Sequence, residues 1–200
     1  MCAECPSGRA AVLSARGRGE VKVFIASFHY LVVIYALTGV PGAGKSSVAD
    51  ELERRGHRVV RFESLIGDAV IGREDDSSVV DMDRIRKGSV LEDGTIIVGH
   101  LAHELDVDVA IVLRARPEII EQRLRARGYS EGKAVENAEA EAIDVITIES
   151  VDSVSRVYEI DASELSVSEA ADLVEEIIVG RGERFTAGRI DFSSYILGGY

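Results

Sequence analysis

The chain has 200 residues, 46% of them apolar and 29% charged, and carries a net charge of −12 from 23 basic and 35 acidic side chains. That apolar content can bury the core of one domain, which excludes a largely disordered protein, and the acidic balance excludes a general polyanion binder. Cys2 and Cys5 form a single C-x-x-C, too few for a disulfide scaffold or a four-cysteine zinc site, so a reducing compartment, the cytoplasm, is expected.

Residues 1–22 are small, polar and basic, without apolar periodicity, and residues 23–37 form an apolar run interrupted by Ser27 and His29. A basic stretch ahead of an apolar run resembles a secretory signal or an anchor. The run of 15 residues is short of the ~20 that span a bilayer. No small-residue cleavage site precedes Gly39, and residues 32–37 are needed as a strand feeding the loop that follows. Residues 1–33 are therefore expected to be a disordered N-terminal extension, with Val33 a candidate initiator. No membrane association is expected.

Gly39-Val40-Pro41-Gly42-Ala43-Gly44-Lys45-Ser46 matches G-x-x-x-x-G-K-[ST]. Glycines let successive backbone N–H groups converge on phosphate oxygens, and a helix starting near Gly44 adds its positive end. In this pattern Lys45 reaches the β- and γ-phosphates and the Ser46 hydroxyl ligates Mg²⁺. Only four of the basic residues are Lys, which sharpens the signal of Lys45. The motif has its required context: the β-branched run LVVIYAL precedes it, and an amphipathic helix over residues 47–55, stopped by Gly56, follows.

Further strands are predicted over residues 58–62, 95–98, 109–113 and 156–160. Between the first two lies a polar, acidic stretch, residues 63–93, with weak helical patterning that suits a small inserted lobe. Residues 100–105 read as a turn or short helix. Pro117 opens a helix to Arg127, Gly128-Tyr129-Ser130 breaks it, and one longer helix is predicted over residues 131–150. Ser166 and Glu169 form a capping box for a last helix reaching Val179. The tail after it mixes arginines with Phe185, Phe192 and two tyrosines, and packing back on its own domain is one reading of it. Alternating strands and helices give an α/β fold, an open parallel five-stranded sheet with helices on both faces and the ligand at the C-terminal strand ends.

A P-loop alone leaves kinases, GTPases and ATPases open. No N-K-x-D element occurs, which argues against a GTPase, and the size suits a small-molecule kinase. Arg114, Arg116, Arg123, Arg125 and Arg127 cluster at the fourth strand end and the next helix. For most of them a solvated helix face is an equal reading. Arg127 differs, because it stands at the helix break, where an arginine can close over transferring phosphates.

TGVPGAGKSS, VGHLAHELDVDVAIVLRARPEIIEQRLRARGYSEGK and ENAEAEAIDV resemble the archaeal family named putative adenylate kinases, relatives of the eukaryotic nuclear adenylate kinase isoenzymes that act in small-subunit ribosome biogenesis. The similarity covers residues 34–200, including Arg189-Ile190-Asp191-Phe192 in the tail. It implies one P-loop, adenylate-kinase-like domain with an acceptor lobe at about residues 63–93 and a lid at about 126–136. It implies phosphoryl transfer from ATP to AMP or another nucleoside monophosphate, with ATPase activity. Implied partners are a platform protein of the small ribosomal subunit and pre-ribosomal RNA. The alternative is a ribosome-assembly ATPase or binding factor with little kinase activity. By resemblance, Gly42, Gly44, Lys45, Ser46, Ser47 and Arg127 hold nucleotide, while Lys45, Arg127 and His100 are catalytic. Mg²⁺ is the implied cofactor, with Ser46 as ligand.

One departure from the resemblance stands out: Val98 occupies the strand-end position where the family usually carries an Asp. The second acidic anchor for Mg²⁺ is then unassigned, with Asp81, Asp83 and Asp93 nearby in sequence but better read as a solvated acidic lobe. His100 and His103 lack a third ligand and read as turn or core residues rather than as a metal pair.

Overall fold

The computed structural model describes residues 11–17, 20–26, 32–74, 77–88 and 91–197, which fall into two units, one ending at Val32 and one beginning at Val33. In the first, β1 (Ala11–Gly17) and β2 (Glu20–Ala26) pair antiparallel, Ala11 opposite Ala26. These strands lie in the stretch expected from sequence to be a disordered extension; its residues 1–10, 18–19 and 27–31 are outside the described residues.

The second unit is built on five parallel strands in the order β4-β7-β3-β8-β9: β3 (Tyr35–Thr38), β4 (Val59–Arg61), β7 (Ile96–Val98), β8 (Val109–Arg114) and β9 (Val157–Asp161). From β3 the chain first adds β4 and β7 on one side, then β8 and β9 on the other. The order therefore reverses at the end of β3, where a crevice for ligand opens. The central strands are apolar up to their C-terminal ends, where Thr38 closes β3 and Arg114 closes β8, because both faces are covered. Tyr35, Leu37, Ile96, Val98, Ile111 and Leu113 pack beneath α1 (Lys45–Arg54), α4 (Pro117–Ala126) and α7 (Val167–Ile178). Ile34, Ala36, Ile97 and Ala110 face the other way, toward Phe62, Ile85, Leu105 and Val154. The alternation is the two-residue period of a pleated strand. Among the described residues no helix is long and apolar enough to cross a membrane.

The capping box of Ser166 and Glu169 is present and starts α7. Three expectations need correction. Phe62 does not end the second strand but opens α2 (Phe62–Ile66), because its ring turns under the sheet against Gly99: a Cβ there would stand 2.5 Å from the Phe62 Cβ. The acidic stretch holds more than weak helix, since β5 (Val70–Glu74) and β6 (Ser77–Val80) pair antiparallel before α3 (Met82–Gly88). The single helix over residues 131–150 is two, α5 (Glu131–Ala142) and α6 (Val145–Ser153), divided at Asp144, whose φ is 58°. At that break the Asp144 carboxylate accepts from Nη2 of Arg114 (2.5 Å), which holds the chain there.

Candidate active site

The loop after β3 fits because β8 runs beside it. Gly39 has φ +132°, and a Cβ on it would stand 2.4 Å from the carbonyl oxygen of Leu113, so no larger residue fits. The loop ends at Gly44, the N-cap of α1, which provides no side-chain cap, and the first turn of α1 carries no acid. The N–H groups there are left to an anionic ligand. Arg123 on α4 donates to the Gly42 carbonyl (3.2 Å), tying the loop to the helix behind it.

Lys45 donates from Nζ to the carbonyls of Gly39 (2.7 Å) and Val40 (2.9 Å), which leaves one N–H for the crevice. Burial lowers its pKa to about 8; the negative charges of Glu141 and Glu63 oppose that shift, and Arg127 adds to it. His100 is held below its ordinary value, by desolvation first and then by the charge of Lys45. Its imidazole is therefore neutral at pH 7. Its loop is braced from beneath: the Thr38 hydroxyl donates to the His100 carbonyl (3.2 Å) and lies 3.1 Å from Nδ1 of the buried His103.

Three cavities adjoin at this point. The first, about 230 Å³, has Gly42, Gly44, Lys45, Ser46, His100 and Arg127 in its walls, and Val98 beside them. The second, about 180 Å³, lies across α1, where Ser47 and Arg123 face Leu165 and Ala162 from the loop after β9. The third, about 750 Å³, is bounded by the apolar Val40, Ala140, Val145 and Ile146 and by the polar Lys133 and Asn137. All seven residues singled out from sequence thus stand around the first two cavities. Arg127, at the C-cap of α4, lines all three.

Two residues that sequence reasoning passed over also line the first cavity, Arg61 and Glu63. The Gly99–Phe62 contact fixes the start of α2 and so brings Glu63 to the crevice. The available signal was position: Glu63 is the first acid after the second strand, at the sheet edge where ligands bind. Asp81, Asp83 and Asp93 do not line this cavity. Asp81 accepts from the Arg84 N–H, Asp83 pairs with Arg86, and Asp93 accepts from the Val33 N–H. The arginine cluster also divides. Arg116 and Arg125 are exposed and pair with Glu164, and with Glu121 and Glu131, respectively. Arg114, grouped with them from sequence, is 1% exposed and bound by three carboxylates.

A family model described as an AAA domain matches residues 36–144. A protein named "Putative adenylate kinase" from Archaeoglobus fulgidus is 43% identical over 167 residues, covering 81% of this chain and 93% of its own. One of the same name from Natronomonas pharaonis is 41% identical over 169 residues, covering 80% and 98%. Among solved structures, shikimate kinase from Acinetobacter baumannii, in complex with shikimate, aligns with a TM-score of 0.50 at 14% identity over 76% of this chain and 96% of that one. At that identity the likeness is one of fold.

Proposed function

The chain belongs to the P-loop family of the archaeal putative adenylate kinases, and on that premise we propose that it is a nucleoside monophosphate kinase, with ATP as donor and AMP as first-choice acceptor. The triphosphate lies in the P-loop cavity and the donor base between Arg123 and the loop after β9. The monophosphate acceptor is placed in the third cavity, whose apolar walls and about 750 Å³ suit a flat base and its sugar, and not against the lobe of residues 63–93 that the resemblance implies, of which Glu63 lines the first cavity and no residue lines the third. The observation that carries this reading is the place of Arg127. One arginine borders the phosphate crevice and both flanking cavities, where a charge shared between donor and acceptor phosphates belongs.

Transfer then needs little covalent help from the protein. An oxygen of the acceptor phosphate attacks the terminal phosphorus in line as the bond to the bridging oxygen breaks, and ADP forms on both sides. The acceptor oxygen is already anionic, so no general base is required. Lys45, Arg127 and the loop N–H groups balance charge on the moving phosphoryl group. The break at Arg127-Gly128-Tyr129 is the hinge on which residues 126–136 close and exclude water.

The donor set fits Mg²⁺. Ser46 offers a hydroxyl and Glu63 a carboxylate to the same cavity, both hard oxygen ligands. Among the described residues no cluster of three or more His, Cys, Asp or Glu forms a closed cage, so the ion would be held by one or two side chains with nucleotide oxygens and water, which is its habit. When bound, Mg²⁺ neutralises charge on the β- and γ-phosphate oxygens.

Three finer proposals rest on the family resemblance: ATP hydrolysis supported by His100, action in the cytoplasm, and a role in small-subunit maturation through a platform ribosomal protein or pre-ribosomal RNA. One assay separates the enzyme from the assembly factor: ADP production from Mg·ATP with and without AMP, with Lys45→Ala as blank. AMP-dependent ADP formation that vanishes in Lys45→Ala supports the kinase. Hydrolysis indifferent to AMP overturns it in favour of the assembly ATPase.

A further inference from the structure

The segment after α7 carries Arg189-Ile190-Asp191-Phe192, which the reaction above does not use. This segment is packed back on its own domain. The N–H groups of Gly188 (2.7 Å) and Arg189 (3.3 Å) donate to Oε2 of Glu159 on β9. The Phe192 ring centre lies 5.4 Å from the guanidinium carbon of Arg114, and the Tyr195 hydroxyl donates to Glu121 on α4 (3.0 Å).

Arg114 is the buried end of this arrangement, and every edge of its guanidinium is committed. Nε donates to Oε1 of Glu141 (2.5 Å), Nη1 to Glu159 and to the Thr147 hydroxyl (3.1 Å), and Nη2 to the Glu141 carbonyl (3.0 Å) and to Asp144 (2.5 Å). A guanidinium bound at all its edges presents its face to an aromatic ring. Glu141, Asp144 and Thr147 all lie at the α5–α6 break. Asp144 is the one non-glycine with positive φ among the described residues, a conformation that persists where its surroundings over-determine it. The opposite side of the same break supplies Ala140, Val145 and Ile146 to the wall of the third cavity. Arg114 thus grips one side of a junction whose other side faces the acceptor.

We infer that residues 188–195 act as a clasp that positions the acceptor site. Phe192 covers Arg114, Arg114 fixes the break at Asp144, and the break sets the cavity wall. The inference rests on the assignment of the third cavity to the acceptor. The donor side is affected less: Phe192→Ala loosens the cover of Arg114 without removing a charged group, so the negative charge that Glu141 presents to Lys45 is retained. Phe192 is a positioning residue, not a catalytic one.

The test uses the full chain with Phe192→Ala and Phe192→Trp. Backbone amide exchange over residues 140–147 and the affinities for AMP and for ATP are measured for each. The clasp predicts that Phe192→Ala speeds exchange there by about tenfold and weakens AMP binding by about five- to tenfold, with ATP within about twofold. Phe192→Trp, which keeps an aromatic face, restores both. Unchanged exchange over residues 140–147, or equal losses for AMP and ATP, overturns the inference. If the wild-type protein binds no AMP, the acceptor reading fails on its own account, and exchange alone then decides the clasp: faster exchange sustains it, unchanged exchange ends it.

Discussion

The Leu113 carbonyl oxygen occupies the space that a Cβ on Gly39 would need, 2.4 Å away, so the P-loop is moulded to the backbone of β8 before any ligand arrives. Gly39→Ala should push the loop off β8 and force a left-handed conformation on alanine. We expect a loss of about 2–4 kcal/mol in urea unfolding, together with loss of ATP binding in calorimetric titration. Gly56→Ala, at a helix stop where a Cβ meets nothing within 4 Å, is the control for positive φ alone and should cost less.

Arg114 offers a sharper energetic test. Replacing it by Met leaves Glu141 and Glu159 buried without their cation, and breaking a buried pair from one side costs about 3–5 kcal/mol. Burial already raises the pKa of Glu141, against the pull of Arg114. Without that arginine Glu141 holds its proton still more tightly in the folded state, so the folded variant binds more protons than the unfolded chain. Its deficit relative to wild type should therefore be largest at pH 7 and shrink toward pH 5. Urea unfolding of both proteins at the two pH values checks this; a deficit independent of pH would mean that packing, not charge, is what Arg114 supplies.

Lys45 gives a pH signature of the opposite kind. Its folded-state pKa of about 8 lies below the unfolded value of 10.5, so the unfolded chain binds more protons between the two. The cost of holding this charge in the crevice is present in full below pH 8 and lost as pH rises to 10.5. Lys45→Met should be more stable than wild type at pH 7, with the gain fading over that interval in thermal melts. In the free protein ATP affinity should begin to fall as pH passes about 8, because the charge that meets the phosphates is titrated there. A fall beginning only near pH 10 would place Lys45 in a wetter site than its burial indicates.

The parts of this molecule written in local patterns were legible in the sequence. The apolar runs of β3 and β8, the glycine-lysine loop, Pro117 at the start of α4 and the Ser166–Glu169 capping box each carry their cause within a few residues, and each stands where expected. What could not be read depends on distant partners. Asp144 breaks a helix because an arginine 30 positions earlier binds it. Arg114 looks like its exposed neighbours until Glu141, Glu159 and Phe192 fold around it. Glu63 resembles any acid of a solvated lobe until Phe62 packs on Gly99. The β5–β6 pair is short, its Val and Ile residues adjacent rather than alternating, so no two-residue period marks it.

Glu63 is the candidate for the acidic Mg²⁺ anchor that the family resemblance implies at the position of Val98. Val98 and Glu63 line the same cavity as Ser46, and Glu63 is the carboxylate facing it among the described residues. The acid absent from the strand end would then be supplied from α2, across the crevice. Mn²⁺ is a suitable probe, its binding to the complex with a non-hydrolysable ATP analogue being followed by electron paramagnetic resonance. Glu63→Gln should weaken Mn²⁺ binding to that complex by about tenfold while leaving metal-free analogue binding unchanged or tighter, since a negative charge leaves the phosphate cavity. Adding Val98→Asp to Glu63→Gln should recover part of the loss by returning an acid to β7. Unaltered Mn²⁺ affinity in Glu63→Gln would remove Glu63 from the metal site and leave Ser46 and the nucleotide to hold the ion with water alone.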